Sequence, residues 1–324
     1  MRVECIIKLG GSAVTAKGVL ETEKLDEIRK FAEFLRLQIT DDRRFIVVHG
    51  AGSFGHFQAK EYGVAQGYHG NQDHVRSDRV KMGFCKTRVS VTKLNHIIVN
   101  ELVCQGVNAV GISPCGSWVT DDGSVVQSDI DSIKDLLLEG YQPVMHGDCV
   151  LDRCKGCTIL SGDTVIEVCC LLGIGLGNYF PTVKGPAFFP FPTLWELILI
   201  FLFTFQKLCS VFRPKCVLFL ADVDGVYDKP PTDFAAQLLP VITIGHDGEL
   251  SLPVATTQQA HDVTGGILKK LKTAASIVRA SNRDTSVFIC RINSLAASNV
   301  MTNGKLLGEF GTEIKMQFSD ETFH

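Results

Sequence analysis

The stretch from Phe45 to His56 reads FIVVHGAGSFGH, and it decides the fold class of this chain. Its first half, Phe45–His49, is short, apolar and rich in β-branched residues, as a strand buried on both faces should be. Its second half, His49–His56, places three glycines directly after that strand. Ligands of open α/β sheets bind at the carboxyl ends of the strands. The stretch therefore predicts a strand that presents a glycine-rich loop to a ligand.

Similar apolar runs alternate with amphipathic helical stretches along the rest of the chain, which predicts an α/β protein with a mainly parallel sheet. The other predicted strands are Val3–Leu9, Asn108–Ile112, Pro143–His146, Cys216–Ala221 and Ser286–Arg291. Helices are predicted around Leu25–Leu35, over Asp78–Gln105, from near Asp163 and over Gly266–Ala280. No linker is long enough to divide the chain into independent domains.

The composition excludes several classes of protein. The chain has 324 residues, 45% of them hydrophobic and 21% charged, and its formal net charge is −3. No run of lysines or arginines forms the basic stripe of a nucleic-acid-binding protein. The twelve cysteines are scattered, and Met1 is followed almost at once by the first predicted strand. We therefore expect no signal peptide, and reduced thiols in a cytoplasmic protein.

One segment departs from this composition. Leu194–Phe205 reads LWELILIFLFTF, which is nearly all apolar but contains Glu196. A membrane helix needs roughly 18 or more apolar residues, and this run is shorter. We therefore predict no membrane span.

A second glycine loop follows the first predicted strand. Lys8-Leu9-Gly10-Gly11-Ser12 turns from that strand toward a helix. The paired glycines would let backbone N–H groups approach a phosphate, and the Lys8 ammonium could reach the same oxygens. A tight turn without any ligand explains these residues equally well. Together with His49–His56, however, the loop could hold two phosphate-bearing ligands end to end.

Single residues near these loops have both a functional and an ordinary interpretation. His56 could donate a hydrogen bond to an oxyanion, although a capping or surface histidine is the simpler alternative. Asp163, in SGDT, could orient a lysine or merely cap a helix. Asp222, in FLADVDGVYD, follows a strand where a nucleotide contact would fit, but a turn needs no function. Lys270 could reach back over the start of its helix or simply be exposed.

Common phosphotransferase and metal motifs are missing from the sequence. It contains no G-x-x-x-x-G-K-[ST] loop and neither the H-R-D nor the D-F-G motif of protein kinases. Cys154-x-x-Cys157 is followed by the adjacent pair Cys169 and Cys170, which does not have zinc-ligand spacing. We predict no dedicated metal site.

Taken in order, KLGGS, HGAGSFGHF, HGD, SGDT, FLADVDGVYD and DVTGG-x3-K resemble the amino-acid-kinase superfamily and, within it, the isopentenyl phosphate kinase family. The resemblance runs from about Val3 to Lys315. It implies a three-layer αβα sandwich with a mainly parallel open sheet, as a single domain over residues 1–315. The acceptor would bind in a lobe at about 1–160 and ATP in a lobe at 161–315, with a tail at 316–324. The implied reaction is ATP-dependent phosphorylation of isopentenyl phosphate to isopentenyl diphosphate, by a homodimer, with Mg²⁺ carried with ATP.

The same resemblance assigns roles to individual residues. The implied catalytic residues are Lys8, Lys17, His56 and Asp163. The residues implied to hold ATP are Lys8, Gly10, Gly11, Ser12, Gly52, Asp163, Asp222, Gly266 and Lys270, and those for the acceptor phosphate are Ala51, His56 and Gly147. An apolar tail would need an apolar pocket, which we expect along the helix around Met82–Val91.

Two departures from the family pattern stand out. Ala16 occupies a position where the family usually has an acidic residue before the lysine. The segment 175–212 makes the chain longer than the family between SGDT and the strand Cys216–Ala221, and it has no amphipathic period. Our hypothesis is that 175–212 is an anomalous apolar insertion, translated from non-coding sequence through a gene-model artefact. Sequencing the transcript across codons 170–215 tests it, and an unbroken message with these codons in most copies would refute it.

Two other functions remain open at this point. The same fold could phosphorylate another small phosphate or phosphonate monoester, or a small carboxylate, although His56 argues against the carboxylates. Alternatively, the insertion could have disabled catalysis and left a nucleotide-binding protein. The presence of Lys8, Lys17, Asp163 and Lys270 argues against decay of the site.

Overall fold

The computed structural model describes residues 3–40, 42–68, 74–171, 212, 214–245, 250–251, 266–281 and 285–317. Its strands are β1 (Cys5–Leu9), β2 (Phe45–His49), β3 (Ala109–Ile112), β4 (Val119–Asp121), β5 (Ser124–Gln127), β6 (Gln142–His146), β7 (Asp148–Asp152), β8 (Gly156–Leu160), β9 (Cys216–Ala221), β10 (Val226–Tyr227), β11 (Leu238–Leu239), β12 (Val241–Ile244), β13 (Leu250–Ser251), β14 (Ser286–Arg291) and β15 (Thr312–Met316). Its helices are α1 (Gly11–Val14), α2 (Leu25–Gln38), α3 (His56–Tyr62), α4 (His74–Cys104), α5 (Ile130–Leu138), α6 (Gly162–Leu171), α7 (Gly266–Ala280) and α8 (Leu295–Asn303), with 3-10 turns at Gly52–Phe54 and Val64–Gln66.

The central sheet runs in the order β13-β12-β15-β14-β9-β1-β2-β6-β3. Strands β14, β9, β1, β2, β6 and β3 run parallel to one another. Strands β12 and β15 are also parallel, while the pairs β12–β13 and β14–β15 are antiparallel. The register pairs Leu9 of β1 with His49 of β2 and with Leu220 of β9. Three strand ends therefore lie side by side, and each continues into a loop that carries predicted site residues.

Alternate side chains of the central strands enter two different cores. Ile7, Leu9 and Val47 pack with α2, α4 and α8 on one face of the sheet. Ile6 and Ile46 pack with α5, α6 and α7 on the other face. Strands covered on both faces are expected to be continuously apolar, and β1, β2 and β9 are buried along their whole length. The predicted three-layer αβα sandwich is confirmed.

The predicted strands of the central sheet are present, with bounds that differ by at most a few residues at one end. The sequence interpretation missed the small sheet β5-β4-β7-β8, whose strands are short and contain polar residues such as Thr120 and Asp152. It also missed β15, so Met316, the first residue of the predicted tail, ends a strand of the main sheet. Short strands that carry polar residues give no continuous apolar run to recognise.

Most of the anomalous segment lies outside the described residues. Of the range 175–212, the structure describes only Phe212, whose side chain is buried in the core beside α6 and α7. The last residue of the predicted insertion therefore belongs to the packed domain. No helix within the described ranges has both the length and the apolarity to cross a membrane.

Candidate active site

The two glycine loops predicted from the sequence touch each other backbone to backbone. A Cβ built on Gly11 would lie 2.7 Å from both Cα and N of Gly52. The N–H of Gly50 donates to the carbonyl of Leu9 at 2.9 Å, which joins the ends of β1 and β2. Because a distance of 2.7 Å leaves no room for any side chain, Gly11 is required by the contact between the loops. The sequence interpretation had considered a tight turn or the close approach of a phosphate, but not a contact between the two loops.

Thr15 holds this contact in place, and the sequence analysis missed it. Its hydroxyl donates to the carbonyl of Gly11 at 2.7 Å and accepts from the N–H of Ser53 at 3.0 Å. Gly52 has a φ of +53°, and a Cβ at that position would lie 2.2 Å from the Thr15 hydroxyl oxygen. Both the backbone conformation and the lack of space therefore demand glycine here. In the sequence, the only sign of this role was that Thr15 is a polar residue shortly after the KLGGS motif.

Lys8, near the end of β1, and Asp163, in α6, form a buried ion pair. Lys8 Nζ lies 2.5 Å from Asp163 Oδ1, and the two side chains are only 5% and 12% exposed. Asp163 stands in the first turn of α6, but Ser161 performs the capping, since its hydroxyl oxygen accepts from the N–H of Thr164 at 3.2 Å. Of the two interpretations of Asp163, orientation of a lysine is therefore the one the geometry favours.

The charge of Lys270, on α7, interacts with the charges of Lys8 and Asp163. Burial lowers the pKa of Lys270, and the nearby charge of Lys8 lowers it further, while the carboxylates of Asp163 and Asp222 act in the opposite direction. The charge of Lys270 thus interacts with those of Lys8 and of Asp222. Lys270 is half-buried, which disfavours the alternative of an ordinary exposed helical lysine. Gly266 is the first residue of α7.

Asp222 links the end of β9 to the KLGGS loop. Its carboxylate accepts from the Ser12 hydroxyl at 2.9 Å and lies 3.8 Å from Lys17 Nζ. Burial would raise the pKa of Asp222, but the Ser12 hydrogen bond and the charge of Lys17 together lower it. Lys24, which the sequence analysis did not single out, donates to the carbonyl of Ser12 at 2.7 Å. Lys17 itself is 62% exposed, so its ammonium has room to move toward a ligand.

The Gly50–His56 loop, predicted to bind the acceptor, packs against α4. His56 begins α3 with an exposed side chain, and the protein around the ring lowers the pKa of His56 by displacing water. Among the described residues, no hydrogen bond is made by its imidazole. A Cβ on Gly55 would lie 3.0 Å from Ala51 Cβ and 3.6 Å from Thr87 Cγ2. The loop is thereby fitted closely against α4.

Gly147, the third residue predicted for the acceptor phosphate, is constrained by the sheet. Its N–H donates to the carbonyl of His49 at 3.1 Å. A Cβ on Gly147 would lie 2.9 Å from the backbone nitrogen of Gly162. Glycine is therefore needed here to let β6 end against the start of α6. Any contribution of Gly147 to phosphate binding would come from this close packing and not from its N–H.

Beside Gly147, a buried carboxylate ties the strand end to α4. Asp148 accepts from the Ser113 hydroxyl at 2.7 Å and lies 3.3 Å from Arg88 Nε. Its side chain is 0% exposed. The HGD motif thus serves the packing of α4 against the sheet.

We predicted an apolar pocket along α4 around Met82–Val91, but the buried face of this segment is only partly apolar. Met82 and Val89 are 54% and 72% exposed, so they point away from the interior. The buried residues of this segment are Gly83, Thr87, Ser90 and Val91. A pocket along this helix would therefore present hydroxyl groups as well as Val91.

A cavity of about 570 Å³ opens on another side of Asp222. Its lining includes neither Lys8, Lys270 nor His56, so it is not the place where those three side chains would meet a ligand. Its walls are Ala13, Glu23, Lys24, Leu25, Asp26, Glu27, Asp222, Arg291 and Ile292.

With this geometry established, the chain can be compared with known proteins. The amino acid kinase family matches residues 4–172 and 205–290, and the chain belongs to that family. Within it, the chain is 32% identical to the isopentenyl phosphate kinase of Arabidopsis thaliana, over 86% of this chain and 84% of that protein. It is 31% identical to the isopentenyl phosphate kinase of Methanothermobacter thermautotrophicus, over 82% and 84% of the two chains. The resemblance predicted from the motifs is confirmed.

The fold is shared with solved structures. One solved isopentenyl phosphate kinase superposes with a TM-score of 0.67 at 24% identity, covering 96% of this chain and all of that one. This likeness shows the fold alone. The family match does not include residues 173–204, and the origin of the 175–212 segment stays a hypothesis.

Proposed function

We propose that this chain transfers the γ-phosphoryl group of ATP to isopentenyl phosphate, giving isopentenyl diphosphate and ADP. The observation that carries the proposal is the backbone contact between Gly11 and Gly52. It joins the loop beside Lys8 to the loop that leads into His56, so that two anionic ligands could meet end to end. The isopentenyl phosphate kinases among its relatives support this choice of acceptor.

The cationic side chains fit the demands of phosphoryl transfer. Such a reaction asks the protein mainly to position the ligands and to stabilise charge on the transferring group. We assign this work to Lys8, Lys17 and Lys270, with Asp163 holding Lys8 in place through the 2.5 Å ion pair. An acceptor phosphate is already a competent nucleophile at neutral pH. No strong general base is required.

The remaining ATP contacts would come from backbone and small side chains. We propose Gly10, Gly11, Ser12 and Gly52 for the phosphates, and Gly266 and Asp222 for the rest of the nucleotide. Asp163 is paired with Lys8, and Asp222 with Ser12 and Lys17. Because these carboxylates already have partners, Mg²⁺ would be held mainly by the phosphate oxygens, where it neutralises charge.

On the acceptor side we propose Ala51, His56 and Gly147. The exposed His56 ring begins α3 and would donate a hydrogen bond to the acceptor phosphate. The acceptor-binding lobe would then be formed by about residues 1–160 and the ATP-binding lobe by 161–315. We further propose that the enzyme is a cytoplasmic homodimer. The cysteines of the described residues are all free thiols, which supports a reducing compartment.

A panel of acceptors tests the proposed function. The full chain is incubated with ATP and Mg²⁺ and with isopentenyl phosphate, dimethylallyl phosphate, isopentenol, a phosphonate analogue or glutamate. Release of ADP and formation of a diphosphate by phosphorus NMR are the readouts. We expect turnover with the prenyl phosphates and none with isopentenol or glutamate. Nucleotide binding without turnover on any acceptor would instead favour the catalytically impaired protein.

A second acceptor class deserves a place in the same panel because of one observation. Thr87 Oγ1 and Gln58 Oε1 are buried and have no hydrogen-bond partner among the described residues. Buried polar atoms usually have partners, so a small phosphate monoester carrying a hydroxyl group could satisfy them. Faster turnover of such an acceptor than of isopentenyl phosphate would favour this second class.

A further inference from the structure

Two buried histidines stand side by side at the ends of β2 and β6. His49 and His146 are register partners of these parallel strands, and their rings stack with centroids 5.4 Å apart and planes inclined by 26°. Their side chains are 0% and 1% exposed. His49 immediately precedes Gly50 of the loop that we assign to the acceptor phosphate. The proposed reaction leaves both rings without a role.

The contacts of Asn95 define which nitrogen of His49 carries the proton. Asn95 Nδ2 lies 3.1 Å from the carbonyl of Val144, which can only accept, so Nδ2 is the amide nitrogen and donates. The same Nδ2 lies 3.2 Å from His49 Nε2, which must therefore be the unprotonated acceptor. Burial, together with the charges of His146 and Lys8, lowers the pKa of His49 to about 3, so the ring is neutral. Its one proton then sits on Nδ1.

The protonated Nδ1 of His49 fixes one peptide unit of the loop. It donates to the carbonyl of Gly50 at 3.1 Å. In a planar trans peptide the carbonyl and the following N–H point in opposite directions. The N–H of Ala51 therefore points away from the ring, and among the described residues no hydrogen bond uses it. Glycine by itself would let this peptide unit rotate.

We propose that His49 is a positioning residue for the acceptor: its Nδ1–H bond to Gly50 holds the Ala51 N–H toward the acceptor phosphate. This inference rests on the proposed function. His146 repeats the contact on the neighbouring strand, with Nδ1 3.1 Å from the carbonyl of Gly147. The stacked pair thus orients the peptide units after two adjacent strands. Asn95, on α4, sets the proton position in the first of them.

Two substitutions distinguish the contribution of Nδ1 of His49 from that of Nε2. In His49→Asn the amide nitrogen takes the place of Nδ1 and can still donate to Gly50. In His49→Gln the amide takes the place of Nε2 and leaves the Gly50 carbonyl without its donor. We expect kcat/KM for isopentenyl phosphate to fall about tenfold in His49→Gln, roughly the loss of one hydrogen bond, and to stay within about threefold in His49→Asn. The KM for ATP should change in neither variant.

Equal losses in the two variants, or a parallel rise in the KM for ATP, would overturn the inference. Should either variant fail to fold, the ring nitrogens of histidine-labelled wild-type chain are measured by ¹⁵N NMR, and we expect His49 as the Nδ1–H tautomer. The Nε2–H tautomer would also overturn it. If the wild-type chain turns over no acceptor, the proposed function fails, while the tautomer measurement still tests the geometry of His49 by itself.

Discussion

Lys8 Nζ lies 2.5 Å from Asp163 Oδ1, and this ion pair joins the end of β1 to the first turn of α6. The two side chains are nearly enclosed by protein, with exposures of 5% and 12%. A buried cation and its partner depend on each other, because removing one leaves the other charge in a poorly solvated place. The pair therefore serves both the stability of the fold and the position of the Lys8 ammonium.

Replacing Asp163 with Asn keeps the shape of the side chain and removes its charge. We expect the free energy of unfolding to fall by about 3 kcal/mol, as for other broken buried pairs, and kcat to fall at least about a hundredfold. Urea denaturation and steady-state kinetics measure the two effects. Asp222→Asn is the control for stability, since its partner Lys17 is 62% exposed and a pair of that kind contributes at most about 1 kcal/mol. Equal stability losses in the two variants would argue against this account.

Adding one methyl group at Gly11 should force the two loops apart. Its Cβ would lie 2.7 Å from two backbone atoms of Gly52, so neither loop can yield by turning a side chain. We expect Gly11→Ala to lose most of its kcat and about 1–3 kcal/mol of stability. Gly18→Ala is the matched control, because no atom of the described residues lies within 4 Å of a Cβ there. Thermal unfolding and turnover are compared for the two variants, and a fully active Gly11→Ala chain would show that the loop contact is dispensable.

His56→Ala tests the assignment of this ring to the acceptor. A hydrogen bond to a charged group contributes about 1.5–3 kcal/mol, so kcat/KM for isopentenyl phosphate should fall roughly tenfold to a hundredfold. The KM for ATP should stay nearly constant, because within the described part of the chain His56 makes no hydrogen bond to the residues proposed for ATP. Initial rates with each substrate varied in turn give both values. Equal losses for ATP and acceptor would remove His56 from the acceptor site.

Lys270 should take up protons when ATP binds. Burial and the charge of Lys8 lower its pKa in the free protein, so the ammonium loses its proton at a lower pH than an ordinary lysine. The anionic phosphates favour the protonated form, which raises that pKa again on binding. Titration calorimetry at alkaline pH, in buffers of different ionisation enthalpy, measures the uptake. The Lys270→Arg variant, which stays charged, should lose the uptake, and an unchanged value in that variant would assign the proton to another group.

A chain without residues 175–211 should fold and phosphorylate its acceptor. None of the proposed site residues lies in that range, and Phe212 is retained because its side chain is buried in the core. We expect its kcat with isopentenyl phosphate to match or exceed that of the full chain. A further deletion that includes Phe212 is the control and should lower the midpoint of thermal unfolding. If the shorter chain binds ATP but transfers no phosphoryl group, the segment would have a catalytic role after all.

The parallel strands were predictable because burial on both faces leaves an unbroken apolar run, as in Phe45–His49. The small sheet that contains β7 and β8 was not, since its strands carry polar side chains such as Asp148 and Thr158. The glycines were recognised as a pattern, but the reason for Gly11 is a contact with Gly52, and a sequence does not show which backbone atoms will meet. Thr15 was missed for the same reason.

For the ionisable residues, too, the sequence identified candidates but did not show which groups would be in contact. Lys8 and Asp163 stand far apart in the chain, and only the packing of α6 against β1 brings their charges together. Whether Asp163 would cap its helix or bind a lysine depended on Ser161, which performs the capping. In the sequence, His49 and His146 are recognisable only as two histidines that each precede a glycine. The tautomer of His49 could not be predicted, because it depends on Asn95, which is far from His49 in the sequence but contacts its ring.

The backbone contact between Gly11 and Gly52 has a consequence for how this enzyme could change over evolutionary time. In the proposed reaction, the gap between donor and recipient is bounded by main-chain atoms of Gly11 and Gly52, and substitutions elsewhere leave their spacing unchanged. With the acceptor bound along α4, as we propose, substitutions in that helix would change the recipient without touching the contact between Gly11 and Gly52. In the proposed enzyme, specificity and reactivity would therefore be separately mutable traits.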